Sequence, residues 1–285
     1  MIQSMTGYGK SEVELLQKSA TIEIRTLNSK NIDFNIRVPN AYREKEPEIR
    51  NLLATQLKRG KVDFTLTIEN NEIGGHTSIN EMVVSHYLGQ LSKLGLSDKE
   101  NMLNIAMRLP DVLKTEVEDI NDDEWSQITD ALLKTIEKVI TFRKDEGLVL
   151  KKDFSCRIDN IQQLTKQIDC LDEERLKNVR ERLYKAIEEL KQSVDENRFE
   201  QELIYYLEKL DVTEEKVRLR NHLSYFLDEL NNPTSNGKKL GFIGQEIGRE
   251  INTLGSKANF APMQKIVVQM KDELEKIKEQ LLNVL

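Results

Sequence analysis

The sequence predicts an α+β protein: a small N-terminal antiparallel sheet with helices, followed by a long-helix, mainly α C-terminal region. Three observations carry that expectation. Apolar and polar residues alternate in three segments before residue 70, the signature of half-buried strands. From about residue 80 the spacing changes to the three-and-four step of amphipathic helices. The composition, 38% hydrophobic and 32% charged with 13 glycines and 5 prolines in 285 residues, suits helices with charged outer faces better than a β-sandwich.

The segment TIEIRTL sets Ile22, Ile24 and Thr26 on one face of a strand. NIDFNIRV sets Ile32, Phe34, Ile36 and Val38 against Asp33, Asn35 and Arg37, and KVDFTLTIE repeats the pattern with Val62, Phe64, Leu66 and Ile68. LNSKN reads as a hairpin turn joining the first two. EKEPEIRNLLATQLK has helical spacing and stops at Gly60. The opening QSMTGYGKSE is a candidate for a further strand. Helices are expected over 80–94, 98–107, 124–170, 173–210, 213–231, 237–255 and 261–283, with prolines 110, 233 and 262 at the breaks. The two longest suit an extended hairpin or coiled coil. PDVLKTEVEDINDDE reads as a solvated acidic loop. The expected organisation is an α+β unit over 1–75, a helical connector over 76–122 and a helical region over 123–285.

Charge and motifs narrow the function. The net charge is −7, with 11 Lys and Arg against 9 Asp and Glu in residues 1–69, so that region is +2 and the remainder −9. A protein that coats nucleic acid indiscriminately is excluded, and any polyanion binding is confined to a groove. Cys156 and Cys170, with no CxxC or nearby histidine, read as reduced thiols of a cytoplasmic protein. No apolar run is long enough to span a bilayer, and MIQSMTGYGK lacks the features of a signal peptide. Phosphate loops, dinucleotide fingerprints, HExxH and GxSxG are all missing. With His76, His86 and His222 as the only histidines, carboxylate-based or metal-assisted chemistry is favoured over a triad.

Two segments concentrate polar groups on amphipathic helices. In GFIGQEIGREINTLGSK, residues 241–257, each interior glycine costs roughly 1 kcal/mol relative to alanine. Gly241, Gly244 and Gly248 share one flank of the apolar sector, which predicts another backbone packed close. Glu246, Glu250, Thr253 and Lys257 share the opposite flank, half-buried at the edge of the core. Two carboxylates one turn apart repel and invite a divalent cation. The competing reading is two plain ion pairs, Glu246 with Arg249 and Glu250 with Lys257. In DVTEEKVRLRNHLSYFLDEL, residues 211–230, Leu219, Leu223, Phe226 and Leu230 form the core face, and Glu215, Arg218, His222 and Glu229 line its edge. His222 is a candidate general base or metal ligand oriented by Glu215. The short linker NNPTSN makes these two helices antiparallel neighbours. Lys58, Arg59 and Lys61 surround a turn able to grip phosphate, and Tyr205, Tyr206 and Phe242 are candidate stacking residues whose ordinary role is packing.

Six blocks, SMTGYGKSE, EIRTLNSKNIDFNIRVP, RGKVDFTL, RKDEGLVLKKDF, EEKVRLRNHL and GQEIGREINTLGSKAN, resemble the YicC/YloC family in order and across nearly the whole chain. The resemblance implies a cytoplasmic, divalent-metal-dependent endoribonuclease acting on single-stranded RNA. It also implies a ring-like homohexamer associated with stress responses and small-RNA turnover. The family blocks are met by Gln245, Glu246, Arg249, Glu250, Asn252, Thr253, Ser256 and Lys257, by Arg143, Glu146 and Gly147, and by Glu214, Glu215, Arg218 and His222. Resemblance and spacing together suggest Glu246, Glu250, Glu215 and His222 as catalytic residues and ligands of Mn2+ or Mg2+, with Arg218, Arg249, Lys257, Arg59 and Lys61 holding RNA phosphates. Single-stranded RNA and further copies of the chain are the expected partners; neither DNA nor a membrane is. The opposing hypothesis is a non-catalytic oligomeric helical scaffold that binds RNA or protein.

Overall fold

Strand β1 (Gly7–Glu14) pairs antiparallel with β2 (Lys18–Leu27). In this computed structural model, which describes residues 2–16, 18–70, 77–95, 98–115, 120–190 and 196–285, the opening segment therefore does form a strand. β3 (Ile32–Arg37) follows, then α1 (Glu46–Leu57) and β4 (Gly60–Asn70). The strand order is β1-β2-β4-β3. The sheet departs from the expected all-antiparallel one: β3 runs parallel to β4, with α1 as the crossover, and β2 and β3 are not a hairpin. Residues 28–31 contain no glycine to supply the positive φ of a two-residue hairpin turn. β4 instead pairs with the full length of β2, stacking Ile22 and Ile24 beside Leu66 and Phe64. All four are buried, and Trp125, Ile128, Leu132 and Val139 close the same core from above.

Short β5 (Thr77–Ile79) pairs with β6 (Leu113–Thr115), enclosing α2 (Glu81–Lys93) and α3 (Lys99–Ala106). Part of the expected acidic loop is thus a strand; residues 116–119, and His76, lie outside the described residues.

Helix α4 (Asp122–Leu190) is a single element of 69 residues, roughly 100 Å at 1.5 Å per residue. The expected break near residue 172 is not there, because neither glycine nor proline occurs between 148 and 232. Asp172 marks an anchor instead, accepting from Arg175 Nε at 2.9 Å and from Lys216 Nζ at 2.7 Å. The N-terminal part of α4 covers the sheet, while Phe154, Ile158, Ile161 and Ile168 enter a second core. That core is completed by α6 (Thr213–Leu230), α7 (Gly237–Ala258) and α8 (Ala261–Leu281), reached through α5 (Glu196–Lys209). No helix among the described residues is long and apolar enough to cross a membrane.

The two cores are stitched at one junction. Ser4 bridges Val284, Met5 N–H donates to the Asn283 carbonyl at 2.7 Å, and Leu285 N–H donates to the Gln3 carbonyl at 3.0 Å. Arg143, 2% exposed, donates to Thr26 Oγ1 and to the carbonyls of Met5, Leu57 and Arg59. Burial pushes its guanidinium down to about 10, so it is charged at neutral pH. Glu146 accepts from the Thr6 hydroxyl at 2.5 Å, and a Cβ at Gly147 would collide with the Ile2 carbonyl. The Arg143, Glu146 and Gly147 block is therefore a structural clamp on the N-terminal segment.

Candidate functional site

α6 and α7 lie antiparallel, tied at both ends by ion pairs. Lys257 Nζ meets Glu215 Oε1 at 2.7 Å, and Lys239 Nζ meets Glu229 Oε2 at 2.6 Å. Leu219, Leu223, Phe226 and Leu230 put the core face of α6 inward as the spacing predicts, none more than 1% exposed. At 100° per residue, Lys239, Glu246, Glu250 and Lys257 fall within an arc of about 40° on α7. On α6 the matching ridge is Glu215, Arg218, His222 and Glu229. His222 lies midway between the two α6 anchors, and residue 248 midway between the two α7 anchors. His222 therefore stands level with the turn of α7 that carries Glu246 and Glu250.

Within this seam the groups differ. Glu250 is buried, and its carboxylate has no hydrogen bond or ion pair among the described residues. Glu215 is buried too; one oxygen takes Lys257, while Oε2 has no hydrogen-bond partner. His222 is partly buried. Glu246 is 50% exposed and faces Arg249 at 3.8 Å, the plain ion pair of the competing reading. The expected Glu250–Lys257 pair does not form, since seven residues on one helix span two turns, roughly 10 Å; Lys257 reaches across to α6, and Glu215 is engaged by Lys257 rather than holding His222. Arg218 is exposed and bound to Glu214 at 2.5 Å. Arg59 and Lys61 are not in the seam. Arg59 lies at the α1–β4 turn with Nε on the Ser29 carbonyl at 3.0 Å, and Lys61 is exposed on β4.

The glycine flank also resolves differently. Gly248 faces Leu274 and Gly244 faces Leu281, side chains of α8 rather than a backbone, and Gly241 faces open space. Close backbone approach occurs at Gly237, where a Cβ would sit 2.5 Å from the Val284 carbonyl.

Among the described residues no group of three or more His, Cys, Asp and Glu side chains is placed to hold a metal ion, so Glu246, Glu250, Glu215 and His222 do not converge as the four-ligand set the sequence suggests. What the seam offers is the partnerless Glu250 carboxylate and the orphaned Glu215 oxygen. By that register the two stand about two turns, roughly 10 Å, apart, so each by itself fits an open magnesium-type site in which one carboxylate shares the ion with substrate phosphate and water.

Residues 2–152 match the family described as endoribonuclease YicC-like, N-terminal region, and residues 168–285 match endoribonuclease YicC-like, C-terminal. The chain belongs to the YicC-like endoribonuclease family. It is 32% identical over 296 residues to the probable endoribonuclease YicC of Clostridioides difficile (strain 630), and 29% identical over 287 residues to that of Haemophilus influenzae (strain ATCC 51907 / DSM 11121 / KW20 / Rd). Each alignment covers 100% of this chain and 100% of the relative. The two YicC-like regions meet inside α4, the one helix that enters both cores.

Sequence reasoning missed the anchors Lys239 and Glu229 as a pair. It also missed a basic cleft where Lys30, Lys238 and Lys278 join Arg59. These residues are far apart in the chain, and no local spacing links them.

Proposed function

We propose that this RNA-cleaving enzyme cuts single-stranded RNA at the α6–α7 seam, with Glu250, Glu215, His222 and Glu246 as the catalytic group. The observation that carries the reading is the antiparallel register, which brings the buried Glu250 level with the imidazole of the seam, while the half-satisfied Glu215 stands two turns away. An unpaired buried acceptor is costly in a purely structural helix pair, and a phosphodiester with its cations gives it a purpose.

His222 and Glu250 hold and move protons at the scissile phosphate. Arg249, Lys257 and Arg218 stabilise the charge that develops on the phosphate oxygens. Glu250, level with His222, would hold Mn2+ or Mg2+ together with substrate phosphate and water; bound there, the ion would supply an activated water and Lewis-acid polarisation. Exposed apolar side chains, among them Phe142 and Val149 on α4 and Tyr205 on α5, support self-association; the hexameric ring is what the family resemblance implies. Exposed free Cys156 and Cys170 support a cytoplasmic setting, where turnover of small RNAs under stress is the role to test.

Incubating the purified chain with end-labelled single-stranded RNA, with EDTA or with added manganese, tests the reading. Cleavage that EDTA abolishes and manganese restores is expected. Absence of cleavage under every condition overturns it.

A further inference from the structure

A cleft of about 520 Å³ opens where the N-terminal half meets α7 and α8. Its charged lining is entirely basic: Lys30 from the β2–β3 turn, Arg59 from the α1–β4 turn, Lys238 from the start of α7 and Lys278 from α8. No aspartate or glutamate lines it, although the chain as a whole carries −7. Lys30 and Lys238 are exposed and make no ion pair among the described residues. Arg59 is aimed by its bond to the Ser29 carbonyl, and Lys278 retains a 3.5 Å contact to Glu275.

Phe242 lines the same cleft with 63% of its surface exposed. The apolar stripe of α7 faces the core without it, so packing does not explain this ring. Beside it, a Cβ at Gly241 would meet nothing within 4 Å, which leaves the floor next to the ring clear. On the helical wheel Phe242 and Arg249 occupy the exposed arc between the cleft and the seam, and Glu246 follows Phe242 by one turn. Residues one turn apart are surface neighbours, roughly 5–6 Å between Cβ atoms.

We infer that this cleft receives the RNA strand on its way to the α6–α7 seam: a base stacks on Phe242, and Lys30, Arg59, Lys238 and Lys278 take the flanking phosphates. The inference rests on the RNA-cleaving reading above and assigns Phe242 as a substrate-positioning residue. Cations alone would serve any polyanion; an open aromatic ring among them selects for an unpaired base, because only an unstacked base presents its face. Duplex RNA, whose bases are already stacked, gains nothing from Phe242.

The test is fluorescence anisotropy with a short labelled oligouridylate in EDTA, with strand integrity checked on a gel, across a series of salt concentrations. Phe242→Ala weakens binding about tenfold or more, the range of one base–aromatic stack, and Phe242→Trp restores it. Lys30→Gln with Lys238→Gln lowers the salt slope by about 0.7 for each contact removed. Duplex RNA shows no dependence on Phe242. Unchanged affinity and slope in these variants, in a chain that still cleaves RNA, place the strand elsewhere and overturn the inference. Binding that depends on the lysines but not on Phe242 reduces the cleft to a general anion surface, or to a site for an acidic peptide, and also overturns it. Binding that depends on Phe242 without any cleavage by the wild type supports the cleft and sinks the catalytic reading instead.

Discussion

Lys257 on α7 donates to the Glu215 carboxylate on α6 at 2.7 Å, and this contact decides the chemistry open to the seam. It occupies one carboxylate oxygen and leaves the other orphaned. Lys257→Met strands Glu215 as a buried acid without its counter-charge, and destabilisation of about 1–3 kcal/mol is expected. Because Lys257 is partly exposed, the lower part of that range is the natural outcome. Adding Glu215→Gln should return part of the loss. Urea unfolding of both singles and the double measures the coupling, and strict additivity would remove the pair from the argument.

Glu250→Gln keeps the volume of the side chain and removes its charge. RNA cleavage should fall about a hundredfold or more, the scale of a lost acid–base group, with the unfolding midpoint and the oligomer size unchanged. His222→Ala should do the same. Arg249→Ala should cut cleavage and weaken RNA binding together. A Glu250→Gln chain that cleaves at the wild-type rate would remove Glu250 from the catalytic group.

Two glycine substitutions should move stability in opposite directions. Gly147→Ala drives a methyl into the Ile2 carbonyl and should destabilise by about 1–3 kcal/mol, with the N-terminal segment becoming protease-sensitive. Gly241→Ala meets open space inside a helix and should stabilise by up to roughly 1 kcal/mol. Thermal unfolding of the two variants in one buffer checks both signs.

The Asp172 carboxyl gives a pH prediction. Burial by itself would raise it, but hydrogen bonds from Lys216 and Arg175 outweigh burial and hold it below its ordinary 3.8. A carboxyl depressed in the fold adds stability that is complete above its unfolded value and disappears as pH falls through its folded one. The tie between α4 and α6 should therefore weaken below about pH 4. Asp172→Asn should already lack that increment at pH 7, and the stability gap between the two chains should close on acidification. A gap that is constant from pH 7 to pH 3 contradicts the assignment.

By itself the sequence determined strands β2, β3 and β4 and most of the helices, though not β5, β6 or the continuity of α4, and which stripe of each turns inward. Ile22 with Ile24, and Leu219 with Phe226, fall on buried faces because periods of two and of 3.6 are local properties of the backbone. Family membership was equally legible, since Arg143, Glu146, Gly147 and the 245–257 block stand at fixed chain distances. Only the tertiary structure decided what those residues touch. Spacing placed Glu246 and Glu250 side by side at a core edge, yet the packing of α6 buries one and leaves the other half-exposed. It likewise sends Lys257 across to Glu215. The insertion of β4 between β2 and β3, and the meeting of Lys30, Arg59, Lys238 and Lys278 around Phe242, follow from contacts separated by tens to hundreds of residues. Such contacts are chosen by the burial of whole faces, and a helix or strand carries no mark of which neighbour will supply it.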